Sequence, residues 1–88
     1  MIWKCDLTKE AKEDYQLLKK NNLVKKVEQL LITMEGNPFE NPPPYEKLSG
    51  HTNRYSRRID VKHRLVYEVY KKEKVVKILR MWSHYGDN

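Results

Sequence analysis

The sequence predicts a small α+β domain in which an antiparallel sheet is covered on one face by a helical hairpin. Three short runs rich in aromatic and β-branched residues follow one another between residues 53 and 85, as the strands of a meander would. Between residues 8 and 36, apolar residues recur instead at helical spacing. A chain of 88 residues is long enough for one core, so residues 1–88 are expected to form a single domain.

The first elements are predicted to be a strand over residues 1–6 and two helices. Thr8 is a suitable helix N-cap, because its hydroxyl can accept a hydrogen bond from a backbone N–H of the first turn. Asn21 and Asn22 separate the helices and Gly36 ends the second, which makes a helical hairpin. The apolar positions at helical spacing are Ala11, Tyr15 and Leu18, and then Leu23, Val27, Leu30, Leu31 and Met34.

A crossover without regular structure is expected at residues 37–44, because all four prolines of the chain lie there. Proline lacks the backbone N–H that a helix interior or a central strand needs. Phe39 is expected to anchor this crossover to the core. Residues 45–48 are compatible with a brief edge strand.

The last third of the chain is predicted to contain three antiparallel strands joined by turns at residues 60–62 and 71–73. The second and third of these strands are predicted to cover residues 63–70 and 75–85. In the first, two sets of side chains alternate between the faces: Tyr55, Arg57 and Ile59, and Arg54, Ser56 and Arg58. The predicted order is β-α-α-β-β-β, with the helical hairpin on one face and charged residues on the open face.

The composition indicates a basic cytoplasmic protein. Its 18 Lys and Arg against 12 Asp and Glu give a net charge of +6, which favours a polyanion or an acidic protein as partner. No apolar run approaches the ~20 residues of a membrane span and no signal peptide is recognisable, so a cytoplasmic location without membrane contact is expected. The single cysteine, Cys5, excludes an intrachain disulfide and a cysteine-based zinc site, and we interpret it as a small packed thiol.

The open face carries side chains suited to metal-independent RNA cleavage. That reaction needs a base to take the proton of a ribose 2′-OH, a cation to stabilise the phosphate transition state and an acid to protonate the leaving oxygen. The chain offers Glu46, Arg64 and His84 for these roles, and Tyr85 to stack on a base. Its histidines lack zinc-like spacing, so neither a metal nor another cofactor is expected. Each of these residue types is also common on ordinary surfaces, so an RNA binder and a ribonuclease both stay open at this point.

A family resemblance narrows this choice. It is carried by the segments Asn-Pro-Phe-Glu at 37–40, Glu-x-Leu-Ser-Gly at 46–50, Tyr-Ser-Arg-Arg-Ile at 55–59, His-Arg-Leu-Val-Tyr at 63–67 and Ser-His-Tyr at 83–85. In order and spacing they closely resemble the YoeB/Txe toxins, which belong to the RelE-like superfamily of bacterial toxin–antitoxin systems. Each segment is weak alone, but the five together span nearly the whole chain.

The resemblance implies the RelE-like microbial RNase fold and the activity of an mRNA interferase, which binds the 70S ribosome and cuts mRNA in the A site. By position, Glu46 would be the general base, His84 the general acid and Arg64 the group that stabilises the transition state. Tyr85 would orient the substrate. The further substrate-binding cations would be Arg58, Arg57 and Lys47.

The resemblance also implies partners. A cognate antitoxin of the YefM/Axe type would wrap the toxin with an acidic C-terminal segment, which fits the positive charge of this chain. Relatives can dimerise, so a homodimer is among the expected assemblies. Two alternatives stand beside the interferase: a ParE-like gyrase poison with the same fold, and a non-catalytic module that binds RNA or the ribosome through its basic sheet.

Overall fold

The computed structural model describes residues 2–82. The elements in chain order are β1 (Lys4–Leu7), α1 (Lys9–Lys20), α2 (Val24–Gly36), β2 (Tyr45–Lys47), β3 (Arg54–Arg58), β4 (Arg64–Tyr70) and β5 (Val75–Arg80). The strands form one sheet in the order β1-β5-β4-β3-β2. This confirms the predicted α+β class, and β2 is the brief edge strand that residues 45–48 suggested.

The sheet is mixed rather than wholly antiparallel. Strands β2 to β5 pair antiparallel with their neighbours, whereas β1 lies parallel to β5. A parallel pair cannot be closed by a tight turn, so a crossover must separate its strands. Here α1, α2 and the rest of the sheet lie between β1 and β5 in the chain, and no local pattern shows that the two strands meet.

The helical hairpin forms where the apolar spacing predicts it. Thr8 is the N-cap of α1, and its hydroxyl accepts a 3.1 Å hydrogen bond from the N–H of Ala11. Between the helices Asn22 takes a left-handed conformation with φ of 59°, which asparagine tolerates better than most residues. Of the helices in residues 2–82, none is long and apolar enough to cross a membrane.

One core lies between the helices and one face of the sheet. Its buried members are Ala11, Leu18, Val27, Leu30, Met34, Ile59, Leu65, Tyr67, Val69, Val76, Ile78 and Met81. Phe39 packs against this core with its ring 5.2 Å from that of Tyr55, as expected for the anchor of the proline-rich crossover. The other face of β2, β3 and β4 is turned away from the helices and carries the candidate site.

The last strand is shorter than predicted. Strand β5 ends at Arg80, although the pattern predicted a strand over residues 75–85. The ladder is irregular at Val66, and the N–H of Met81 donates a 3.1 Å hydrogen bond to the carboxylate of Asp14 on α1. A helix side chain therefore takes the donor that would have continued the ladder. Residues 83–85 of the predicted strand lie outside the described residues.

Candidate functional site

A shallow cavity of about 210 Å³ lies on the open face of the sheet, at the end formed by β2, β3 and β4. The residues that line it are Pro44, Tyr45, Glu46, Ser56, Arg58 and Arg64. Strand register explains this grouping. Glu46 lies opposite Ser56 across the β2–β3 pair, and Arg58 lies opposite Arg64 across the β3–β4 pair. Side chains at directly opposed positions project from the same face of a sheet.

The structure brings together two of the residues that the sequence proposed for catalysis. Nη1 of Arg64 donates a 3.4 Å hydrogen bond to Oε1 of Glu46, 18 positions earlier in the chain. The Glu46 side chain is 71% exposed and that of Arg64 is 30% exposed. Exposed ion pairs contribute only about 0–1 kcal/mol to stability. The pair therefore places a carboxylate beside a guanidinium. A ligand that separates the two groups would cost the protein little stability.

Arg58 adds positive charge to the cavity. It is exposed, and among residues 2–82 the lining holds two guanidinium groups and one carboxylate, that of Glu46. Planar guanidinium groups match the oxygen geometry of phosphate. The cavity is therefore suited to an anion such as a phosphodiester.

Lys47 lies outside this grouping. It is exposed, but it pairs with Tyr55, whose ring packs against the core, and so lies on the opposite face of β2 from Glu46. It is not among the residues that line the cavity. Its predicted contact with substrate has no support from this placement.

The prediction that Arg57 binds substrate is wrong, because the side chain is only 1% exposed. Its guanidinium donates hydrogen bonds of 2.6–2.9 Å to three backbone carbonyls of the proline-rich segment, those of Pro43, Pro38 and Glu40. The rings of Tyr45 and Tyr67 flank it at 5.2 and 5.9 Å. The alternation in β3 already signalled this, since Arg57 shares a face with Tyr55 and Ile59. Arg57 holds the segment that leads into Glu46.

His84 and Tyr85 lie outside the described residues, so their roles stay predictions. Residues 80–82, which precede them, are held by contacts with α1 and with the β3–β4 turn. Asp14, which is buried, accepts a 2.7 Å hydrogen bond from Nε of Arg80 besides the bond from Met81. The Trp82 ring lies 4.4 Å from that of His63.

His63 is fixed in turn by the β3–β4 turn. Its Nδ1 lies 2.8 Å from Oδ1 of Asp60, which also accepts the backbone N–H groups of Lys62 and His63. Burial opposes ionisation of Asp60, but these hydrogen bonds outweigh it and lower the pKa of the carboxyl. The turn thus orients the His63 ring that packs against Trp82.

Two features were missed by the sequence analysis. The Asp14–Arg80 pair joins positions 66 residues apart, so no pattern within a single element indicates it. The alternation placed Ser56 on one face with Arg54 and Arg58, but did not indicate that it is buried and lines the cavity. Residues 2–82 contain no group of three or more His, Cys, Asp or Glu side chains placed to hold a metal ion.

Comparison with known proteins gives a family match over most of the chain. The family model described as "YoeB-like toxin of bacterial type II toxin-antitoxin system" matches residues 7–85. Comparison with curated proteins gave no match.

Several solved structures share the fold. The YoeB dimer from Staphylococcus aureus is 36% identical with a TM-score of 0.82, covering 97% of this chain and 100% of that one. A YoeB-YefM complex from the same organism contains a chain 37% identical with a TM-score of 0.78, covering 94% and 98%. A YoeB/ParE toxin from Agrobacterium tumefaciens is 27% identical with a TM-score of 0.83, covering 93% and 99%.

Proposed function

This chain belongs to the YoeB-like toxins of bacterial type II toxin–antitoxin systems, and we propose that it is a ribosome-dependent endoribonuclease that cleaves mRNA in the ribosomal A site. The observation that carries the proposal is the Glu46–Arg64 pair, 3.4 Å apart on the wall of a cavity that also contains Arg58. A base candidate and two phosphate-binding groups meet there, on the open face of the sheet.

In the proposed reaction Glu46 takes the proton of the ribose 2′-OH. The 2′-oxygen then attacks the adjacent phosphorus, and the bond from phosphorus to the 5′-oxygen breaks to leave a 2′,3′-cyclic phosphate. Arg64 binds the non-bridging oxygens and stabilises the charge that accumulates on them. His84 donates the proton that the leaving 5′-oxygen needs, and Tyr85 orients the substrate. These side chains accept the proton lost by the 2′-OH and supply the proton gained by the 5′-oxygen.

Because Glu46 and Arg64 are in contact, substrate binding to Arg64 would also free the carboxylate of Glu46. A phosphate that takes the guanidinium of Arg64 competes with the carboxylate of Glu46 for the same donors. Because the carboxylate is largely exposed, it can move away at low cost and face the 2′-OH as an unpaired base. Binding and activation of the base would therefore be one event.

The proposed partners follow from the charge and from the relatives. Four lysines at the tip of the helical hairpin are exposed, and they would contact ribosomal RNA backbone: Lys19, Lys20, Lys25 and Lys26. The toxin would act in the cytoplasm, where ribosomes are. A YefM/Axe-like antitoxin with an acidic segment would neutralise it, in line with the YoeB-YefM complex, and the dimeric relative supports a homodimer.

Two other functions make different predictions. A ParE-like gyrase poison would inhibit DNA supercoiling, which a gyrase assay detects. A non-catalytic module that binds RNA or the ribosome would keep its activity in His84→Gln and lose it when Lys25 and Lys26 are reversed in charge. The carboxylate–guanidinium pair in the cavity favours the nuclease, since docking alone does not need a base.

The deciding experiment maps mRNA 5′ ends by primer extension in a reconstituted translation system, with wild type and His84→Gln compared. We expect ribosome-dependent cuts within the A-site codon that vanish in the variant. Cuts that persist in His84→Gln would keep the nuclease but remove His84 as its acid. An absence of cuts with the wild type would overturn the proposal and favour the two alternatives.

A further inference from the structure

The hydroxyl of Ser56 is a buried polar group without a partner. The residue is only 2% exposed, and within the described part of the chain its Oγ makes no hydrogen bond. The large majority of buried side-chain polar atoms in proteins have a partner. A buried hydroxyl without a hydrogen-bond partner lowers the stability of the free protein. A ligand that supplies the partner would explain why a serine stands at this position.

Strand register places this hydroxyl in the candidate site. Ser56 lies at the centre of three paired strands, between Glu46 on β2 and the fully buried Val66 on β4. It is one of the residues that line the cavity, together with Arg58 and Arg64. Ser56 is therefore part of the cavity lining, while its unpartnered oxygen is itself almost fully buried.

The carboxylate on the neighbouring strand does not accept a hydrogen bond from this hydroxyl. Glu46 is the cross-strand partner of Ser56, but its carboxylate accepts a hydrogen bond from Arg64 and its side chain is turned 71% into solvent. The hydroxyl of serine both donates and accepts, and its hydrogen rotates to suit a partner. Ser56 thus keeps an unused donor in a site whose walls attract anions.

We propose that Ser56 is a further substrate-binding residue, whose Oγ–H donates a hydrogen bond to a non-bridging phosphate oxygen of the RNA backbone held by Arg58 and Arg64. The inference rests on the proposed function and adds a contact to it. Two guanidinium groups bring the phosphate to the cavity, and a phosphate held there would give the Ser56 hydroxyl the partner that it lacks. A hydrogen bond to a charged oxygen is also stronger than one to a neutral acceptor.

The proposal makes an unusual prediction for the free protein and for its complex. In Ser56→Ala the unpartnered oxygen is gone, so the melting temperature should stay unchanged or rise. Affinity for phosphodiester should fall, because the variant cannot donate the bond. A serine that served only the fold would show the reverse, with lower stability and unchanged affinity.

The test titrates the protein with an RNA trinucleotide that carries 2′-O-methyl groups and so cannot be cleaved, and follows backbone amide shifts by NMR at low salt. We expect the dissociation constant to rise about tenfold in Ser56→Ala, the effect of losing one hydrogen bond to a charged group. Ser56→Cys keeps the side-chain shape but replaces the oxygen with a larger atom that is a weak donor, so it should lose affinity too. Ser49→Ala, at an exposed turn position, is the matched control and should bind as the wild type does.

The other outcomes count either against the Ser56–phosphate contact or against the proposed ribonuclease function. Equal affinity of Ser56→Ala and wild type, or no binding of the trinucleotide by the wild type, would overturn the inference. If the wild type cleaves ribosome-bound mRNA while Ser56→Ala binds the trinucleotide normally, the proposed function stands without this contact. If affinity falls in Ser56→Ala but the wild type cuts no mRNA, the contact stands and the nuclease does not.

Discussion

Nη2 of Arg57 donates a 2.9 Å hydrogen bond to the carbonyl oxygen of Pro38, 19 positions earlier in the chain. The same carbonyl accepts a 3.0 Å hydrogen bond from the hydroxyl of Tyr67. Burial raises the pKa of Tyr67 to about 12, which keeps this hydroxyl protonated as a donor. Residues of β3 and β4 thus bind one point of the proline-rich segment, and that segment leads directly into β2 and Glu46.

Replacing Arg57 by lysine should destabilise the protein. A lysine ammonium presents its donors at one point and cannot reach the carbonyls of Pro38, Glu40 and Pro43 together. We expect the free energy of unfolding, measured in urea, to fall by about 1–3 kcal/mol because buried carbonyls lose their donors. Arg58→Lys is the control, since this neighbour is exposed and should change stability by less than about 0.5 kcal/mol. Equal stability of the two variants would contradict the assigned role of Arg57.

The Asp14 carboxylate should stabilise the end of β5. It is 3% exposed and accepts hydrogen bonds from Arg80 and from the N–H of Met81. Asp14→Asn removes the charge and turns an amide N–H₂ toward a donor, so we expect a loss of about 1–3 kcal/mol in the free energy of unfolding. The exposed carboxylate of Glu13 on the same helix provides the control variant, Glu13→Gln. If both variants unfold at the same urea concentration, the buried hydrogen bonds of Asp14 do not contribute measurably to stability.

Glu46→Ala should separate catalysis from binding. Loss of a general base typically costs about 10²–10⁴ in rate, and we expect a decrease of this size in single-turnover cleavage on the ribosome. Ribosome binding, measured by co-sedimentation, should be unchanged, as should the melting temperature, because the side chain is 71% exposed. Glu73→Ala, in the exposed turn before β5, is the matched control. An equal loss of ribosome binding would remove Glu46 as the base.

The Glu68 carboxylate should contribute to stability in a pH-dependent way. A hydrogen bond from the Tyr70 hydroxyl at 2.5 Å and a pair with Arg54 at 2.6 Å lower its pKa from the usual 4.5. A group with a lowered folded-state pKa contributes stability above its unfolded-state pKa and loses it as the pH falls through the folded-state value. Urea unfolding from about pH 7 to about pH 3 should therefore show a smaller acid loss in Glu68→Gln than in the wild type. Parallel curves for the two proteins would exclude Glu68 as a source of acid sensitivity.

The Cys5 thiol should react slowly in the folded protein. Burial, followed by the nearby charges of Glu35 and Asp6, raises its pKa to about 12, and its Sγ lies 4.0 Å from the carbonyl oxygen of Leu31. Only the thiolate is nucleophilic, so very little reactive species exists near about pH 8. We expect a disulfide reagent to label Cys5 promptly in denaturant and slowly in buffer. Fast labelling of the folded protein would rule out a packed thiol at this position.

The sequence alone determined the features that depend on neighbours in the chain. Thr8 caps a helix through an N–H three positions away, and the apolar residues of α1 and α2 define one face by their spacing. The motifs around Glu46 and Arg64 proposed both residues for one site; the structure brings their side chains into contact, and their catalytic roles stay predictions. Short-range patterns carry such information because the groups involved lie within a few residues of one another.

The tertiary structure decided what depends on register and crossovers. The family resemblance implied that Arg57 binds substrate, but carbonyls 14 to 19 positions away give its side chain a buried site. The parallel pairing of β1 with β5 and the Asp14–Arg80 pair join distant parts of the chain in the same way. Ser56 lies opposite Glu46 only through the β2–β3 register. Such contacts form when packing and hydrogen bonding align separate elements. Alternation along a strand indicates which face a residue takes, but not which distant residues it will meet.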